Sequence, residues 1–298
     1  MKFPPFFLLL PLLFISQSCS ESHSSPNLNK KQVADSSAGQ KIDKHFDSNW
    51  ALDKIWEDGK AEVARYDAER VVYGKTRNFE YVFATVKEKF NEEFLTKTDR
   101  YNRDDLFDAM KLNMFARIET DNYPYHYLTS VFHYRNDPTQ AFKLTSSSQE
   151  WCGATFQEFL TQDDGRQFIY HSYWDGQGDG ETLVEGAFLM EDELPYALRA
   201  LKFEEGLSFS YPLLPSIING RAKLPARPYE ARFSVTETEV ELPERGKLPA
   251  WKVSVSGGNK SLTYHFGKSY PNYLYQMETS TGIRLVLKDV ERWAYWMW

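Results

Sequence analysis

The sequence predicts a mainly β protein, β-rich α+β in class. A large, strongly curved antiparallel sheet carries one helix against its concave face. Three observations predict this. Runs such as "NFEYVFATVKEKF" (78–90) and "YHYLTSVFHYR" (125–135) alternate with a period of two. Aromatic residues make up 16% of the chain, mostly Phe and Tyr, and many sit in those runs. The runs follow one another at short intervals, separated by Gly, Asp and Asn, as in a meander.

From the amino end, the chain opens "MKFPPFFLLLPLLFISQSCSESHSS". Lys2 is a short positive region, and Phe3 to Ile15 is an apolar run. That run falls short of the roughly 20 residues a membrane span needs. It reads as a secretory signal over residues 1–18. Ser16 and Ser18 precede Cys19, and the stretch resembles the lipobox of bacterial lipoproteins, with Ser16 where a Leu is usual. The resemblance implies lipidation of Cys19, a membrane partner through that lipid, and an outer-membrane lipoprotein facing the periplasm or the cell surface. Residues 19–46 are polar, with too little apolar surface to offset the entropy of ordering, and read as a tether. Residues 47–298 then form one β-rich domain, with a possible sub-boundary near 191–225.

Within that domain, "DSNWALDKIWEDG" (47–59) predicts a short helix: Asp47 or Ser48 caps it, Leu52, Ile55 and Trp56 form its apolar face, and Gly59 stops it. "ARYDAERVVYG" alternates and ends at Gly74. In the next run Phe79, Tyr81, Phe83 and Thr85 share one face, and Glu80, Val82, Ala84 and Val86 the other. Two usable faces point to a core on one side and a cavity or second layer on the other. Periodicity does not decide between helix and strand for 106–118. "RQFIYHSYW" and "TLVEGAFLM" flank "DGQGDGE", a hairpin signal.

"EDELPYALRALKF" (191–203) is the one convincing helix: acids in the first turn, Pro195 early, and Leu194, Leu198 and Leu201 on one face. The segment "SYPLLPSIINGRAKLP" follows, kept out of regular helix by Pro212 and Pro215, with Asn219-Gly220 as its turn. Its apolar residues are open to two readings, a buried core crossover or a lid over the open side of the sheet. Under the second, Leu213, Leu214, Ile217 and Ile218, with Leu198 beneath them, contact an apolar ligand such as a lipid. Strand patterns fill the remainder.

The net charge is −7 with acids and bases interspersed, and no basic stripe marks a nucleic-acid partner. Cys152, in "SSSQEWCGATF", has no cysteine partner once Cys19 is acylated, and a lone thiol in an oxidising compartment is expected to be buried. Aligned on the papain-type signature, Cys152 falls on a structural cysteine and Thr155 on the nucleophile. An envelope cysteine hydrolase using Cys152 with His171 or His265 is the rival function, and a structural or assembly protein the third. "DGQGDGETLVEG" places Asp175, Gln177, Asp179 and Gly180 as in a calcium loop, but Gly186 stands where the bidentate Glu belongs. His126 and His133 lie seven apart, on opposite faces of a strand. No cofactor motif occurs, and the acids of "EDE" at 191–193 read as solvated helix-start groups.

The stretch from "AEVARYDAERVVYGK" through "RIETDNYPYHYLTSVFHYRNDPTQAFKLTSSSQEWCG" resembles a family of Bacteroidota-type envelope lipoproteins often labelled "septum formation inhibitor Maf". True Maf pyrophosphatases bind phosphates through an S-x-S-P-R-R loop. That loop does not occur here, so no Maf residue is carried over. The C-terminal third is similar to envelope β domains that share the half-barrel of lipoprotein carriers. That resemblance implies a half-barrel wrapped over a helix and, by analogy, a hydrophobic ligand or an envelope protein partner.

Overall fold

The computed structural model describes residues 42–218 and 227–297. The signal peptide, Cys19, most of the tether and the Asn219-Gly220 turn lie outside the described residues. Alternation becomes strand almost throughout. The first nine strands are β1 (Ala61–Val72), β2 (Lys75–Asn91), β3 (Thr96–Lys97), β4 (Leu106–Ile118), β5 (Tyr125–Tyr134), β6 (Ala141–Glu150), β7 (Gly153–Gln162), β8 (Gly165–His171) and β9 (Asp179–Glu185). After them come β10 (Leu189–Met190), β11 (Ser208–Leu214), β12 (Tyr229–Leu242), β13 (Gly246–Gly257), β14 (Lys260–Gly267), β15 (Leu274–Thr279) and β16 (Arg284–Trp293).

All sixteen join one sheet, in the order β10-β11-β12-β13-β14-β15-β16-β1-β2-β4-β5-β6-β7-β8-β9, with β3 beside β2. Every pairing is antiparallel except β10 with β11. Sequence neighbours are spatial neighbours because tight turns can join antiparallel strands. Tyr73-Gly74 and Gly258-Asn259 both turn with positive φ at both residues, which matches the twist of the strands they connect. The one long-range join is β1 against β16, from Ala61 opposite Trp293 to Glu69 opposite Arg284.

The sheet is curled around its helical segment. One core cluster holds inward residues from both ends of the strand order, Phe159 and Phe168 of β7 and β8 with Leu213 and Phe233 of β11 and β12, together with Leu194, Tyr196 and Leu198. A flat sheet of this width could not bring them together. The helical segment runs from Glu191 to Ala200, as a 3-10 turn, an α-helical turn α1 (Leu194–Ala197) and a second 3-10 turn. Every residue in it is buried, so it is a plug rather than an amphipathic surface helix. The curved sheet on a helix therefore matches the expectation, with the helix three residues shorter.

Strand β2 has the two buried faces its alternation implies. Tyr81 and Phe83 enter the main core, while Val82, Ala84 and Val86 join Ala61 and Val63 in a second cluster.

Four local expectations are corrected. Residues 47–59 form two 3-10 turns, Trp50–Leu52 and Lys54–Glu57, instead of one helix. Asp53 between them is extended (ψ 149°) and its carboxylate caps the Ile55 N–H at 2.9 Å, which breaks the helix. The anchors there are Trp50 and Trp56, and Leu52 is exposed. Packed structure begins before Asp47: Ile42 and Phe46 are buried, and Phe46 bridges Leu201. Ser210–Leu214, the start of the segment read as a loop, belongs to strand β11, and Pro212 is tolerated next to the short outermost strand β10.

The fourth correction is chemical. Glu191, Asp192 and Glu193 are buried, not solvated. Burial of charge requires partners, and the fold supplies them from distant strands. Arg166 lies 3.3 Å from Glu193. At the other end of the plug, Arg199 is held by Glu62 in a two-pronged pair at 2.7 and 2.9 Å. It also donates to the Pro271 carbonyl and packs 4.9 Å from the Trp50 ring.

Candidate functional site

The inward side chains and the start of the plug leave a cavity that opens to solvent. One wall comes from β2, β4 and β5: Phe79, Tyr81, Phe83, Met114, Ala116 and Tyr127. The opposite wall comes from β14 and β15 and the turn after them: Leu262, Tyr264, Met277, Thr279, Thr281 and Ile283. Glu191, Asp192 and Pro195 from the plug, with Ser216 and Ile218, form the floor. Alternation accounts for the walls, because residues two apart on a strand face the same way.

The floor is polar but saturated. Glu191 accepts hydrogen bonds from the Tyr229 hydroxyl (2.8 Å), Lys260 (3.1 Å) and the Ser216 N–H (3.1 Å). Asp192 accepts from the Ile217 N–H at 2.9 Å. Burial pushes the Asp192 carboxyl up to about 6, against a smaller opposing pull from the Ser216 and Ile217 hydrogen bonds. Burial likewise drives the Tyr264 hydroxyl well above its ordinary range, so it stays neutral.

Arg70 is the one basic side chain on the wall among the described residues. It stands on the inward face of β1, two residues on from Ala68 and four from Tyr66, both core residues. It donates to the Ile218 carbonyl at 3.0 Å and lies over the Tyr127 ring at 5.1 Å.

Of the five residues expected to meet a ligand, Ile218 lines the cavity. Leu198, Leu213, Leu214 and Ile217 are buried in the core cluster beside it and are not part of its lining. Leu213 and Leu214 are core rather than lid because they lie in β11 and pair with β10 and β12. Sequence reasoning missed Arg70, Glu191 and Asp192. A signal for Arg70 was present: a charge in register with the apolar face of "ARYDAER".

Cys152 is exposed, which corrects the expected burial. With Trp151 it forms the two-residue turn between β6 and β7, where no second layer covers it. Its hydrogen-bond partner is the Tyr123 hydroxyl at 3.1 Å, and that contact helps push the hydroxyl up to about 12. Neither proposed base meets it. His171 lies 3.5 Å from Asp179, and burial together with nearby Lys252 lowers the pKa of His265. The Asp- and Gly-rich stretch 172–178 is the turn of the β8–β9 hairpin. Among the described residues, no three His, Cys, Asp or Glu side chains are grouped to hold a metal ion. His126 is exposed and His133 fully buried, on opposite faces as their spacing requires; burial holds the His133 imidazole neutral, down at about 3.

Fold and site together define a curled, barrel-like antiparallel β protein with an apolar cavity floored by buried carboxyl groups. No family model and no curated protein matches the sequence. Among solved structures, the chain is similar to a β-barrel-like protein of domain of unknown function DUF1849 from Brucella abortus, with TM-score 0.45 and 9% identity over 78% of this chain and 98% of that one.

Proposed function

We propose that this protein is an envelope lipoprotein, anchored through Cys19, that holds an apolar ligand such as a lipid or acyl chain inside its curled sheet. The observation that carries this is the cavity between β2, β4, β5 and β14, β15, walled by Phe, Tyr, Met and Ile side chains. Apolar walls gain free energy when a ligand displaces water from them. The role asks for containment rather than bond chemistry, and the exposed Cys152 has a tyrosine rather than an imidazole as its partner.

The decisive variant is Ala116→Trp. Ala116 lines the cavity between Met114 and Ile118 on β4, and an indole there fills the space a ligand would take. The wild-type domain is expected to bind the neutral fluorescent probe N-phenyl-1-naphthylamine. Ala116→Trp is expected to lose that binding with its melting temperature nearly unchanged. Equal binding by a folded variant would place the probe elsewhere and remove the support. The anchor is tested separately: Cys19→Ala should release the protein from the membrane fraction, and unchanged retention would count against it.

A further inference from the structure

We infer that the cavity takes a single-chain amphiphile with an anionic oxygen head group, a carboxylate or a phosphate, and that Arg70 holds that head. This rests on the apolar-ligand reading and names its ligand class.

Three inward arginines touch the interior of the curled sheet among the described residues, and they are not treated alike. Arg199 meets Glu62 and Arg166 meets Glu193, each pair buried. Arg70 has no carboxylate partner among the described residues. One of its N–H groups is bound to the Ile218 carbonyl. A guanidinium carries five such donors in a rigid fork, so most of the recognition capacity is unspent. Its place over the Tyr127 ring and its hydrogen bond to Ile218 restrain the side chain, which lowers the ordering entropy an incoming anion must offset.

The acids of the cavity do not compete for this charge. Glu191 is already matched by Lys260 and the Tyr229 hydroxyl, and Asp192 accepts from the backbone at Ile217. Among the described residues, the cavity therefore has in Arg70 a cation with donors to spare, while each of its acids already accepts a hydrogen bond. A neutral apolar ligand would cover the Arg70 charge without pairing it, which is unfavourable. A cationic ligand would meet like charge. An anionic head against the Arg70 fork, with its chain along Phe83, Met114 and Met277, matches both halves of the lining.

The test is competition against the fluorescent probe by three ligands sharing one chain: hexadecanoate, hexadecyl phosphate and hexadecanol. It uses wild type, Arg70→Gln and Arg70→Lys, each checked by thermal melt. At least one anion is expected to bind wild type about tenfold or more tightly than the alcohol, the scale of a charge-assisted hydrogen bond. Arg70→Gln should abolish the preference for that anion over the alcohol, and Arg70→Lys should fall between. Which anion wins tells carboxylate from phosphate. Alcohol and anions binding wild type equally, or Arg70→Gln leaving the preference intact, would overturn the inference while leaving the apolar-ligand reading in place. Failure of all three ligands to bind wild type would overturn both.

Discussion

Asp192→Asn tests the electrostatics of the cavity floor. The wild-type carboxyl is buried, and burial raises it from an ordinary 3.8 to about 6. The folded state therefore holds its proton more tightly than the unfolded state does. Below pH 3.8 both states are protonated and the group costs nothing. As pH rises from there to about 6, the unfolded chain releases the proton first and stability falls. Above about 6 both states are ionised and the loss is complete. At about 1.4 kcal/mol per pH unit, the difference of roughly two units amounts to about 3 kcal/mol. The amide introduced by Asp192→Asn carries no charge at any pH and keeps an oxygen for the Ile217 N–H, now 2.9 Å from the carboxylate. Its added NH₂ contributes a pH-independent offset of about 1–3 kcal/mol if it lacks a partner. Urea unfolding of both proteins at pH 3.5, 5 and 7 reads the difference in stability. That difference should move in favour of the variant by about 3 kcal/mol between pH 3.5 and 7, most of it between pH 4 and 6. Titrating groups remote from Asp192 cancel in the comparison. Parallel profiles across that range would refute the account, because they would mean that the carboxyl ionises as easily inside the protein as in the unfolded chain.

Two further outcomes follow from packing. Leu214 is fully buried in β11, so Leu214→Glu should abolish cooperative thermal unfolding and Leu214→Ala should cost about 2–5 kcal/mol. A folded Leu214→Glu with a normal melting temperature would restore the lid. Glu62→Ala leaves the Arg199 charge buried without its partner and should cost about 3–5 kcal/mol in denaturant unfolding. Replacing the pair by Glu62→Leu with Arg199→Met should recover much of that loss, and a Glu62→Ala variant as stable as wild type would show that Arg199 is held by its aromatic neighbours alone.

What the chain states locally, it states well. A period of two is a property of adjacent residues, so β2, β5 and the β8–β9 hairpin could be read directly, as could the two buried faces of β2. Proline early in "EDELPYALRA", among its leucines, marked the plug for the same reason. Residues 106–118 were ambiguous because only pairing with β2 and β5 makes them a strand. Ser208–Leu214 was hidden by Pro212, whose missing N–H matters less beside a two-residue strand than within a central one.

The site itself was beyond local pattern. Acids at a helix start are solvated by default. Glu191 is buried because Lys260 and Tyr229 arrive from strands 69 and 38 residues later, and Glu62 meets Arg199 across 137 residues. Cys152 was expected inside for want of a cystine partner, yet a hairpin turn at the sheet's rim has nothing to cover it. Which charge lies in a cavity and which finds a partner depends on how far the sheet curls. The curl brings β7 and β8 into one core with β11 and β12, a relation between distant residues that no short stretch contains. Most strands, both faces of β2 and the place of the plug follow from neighbouring side chains and can be read along the chain; that Arg70 stands in an apolar wall with no carboxylate partner among the described residues follows from the fold, because pairing is a relation between distant residues.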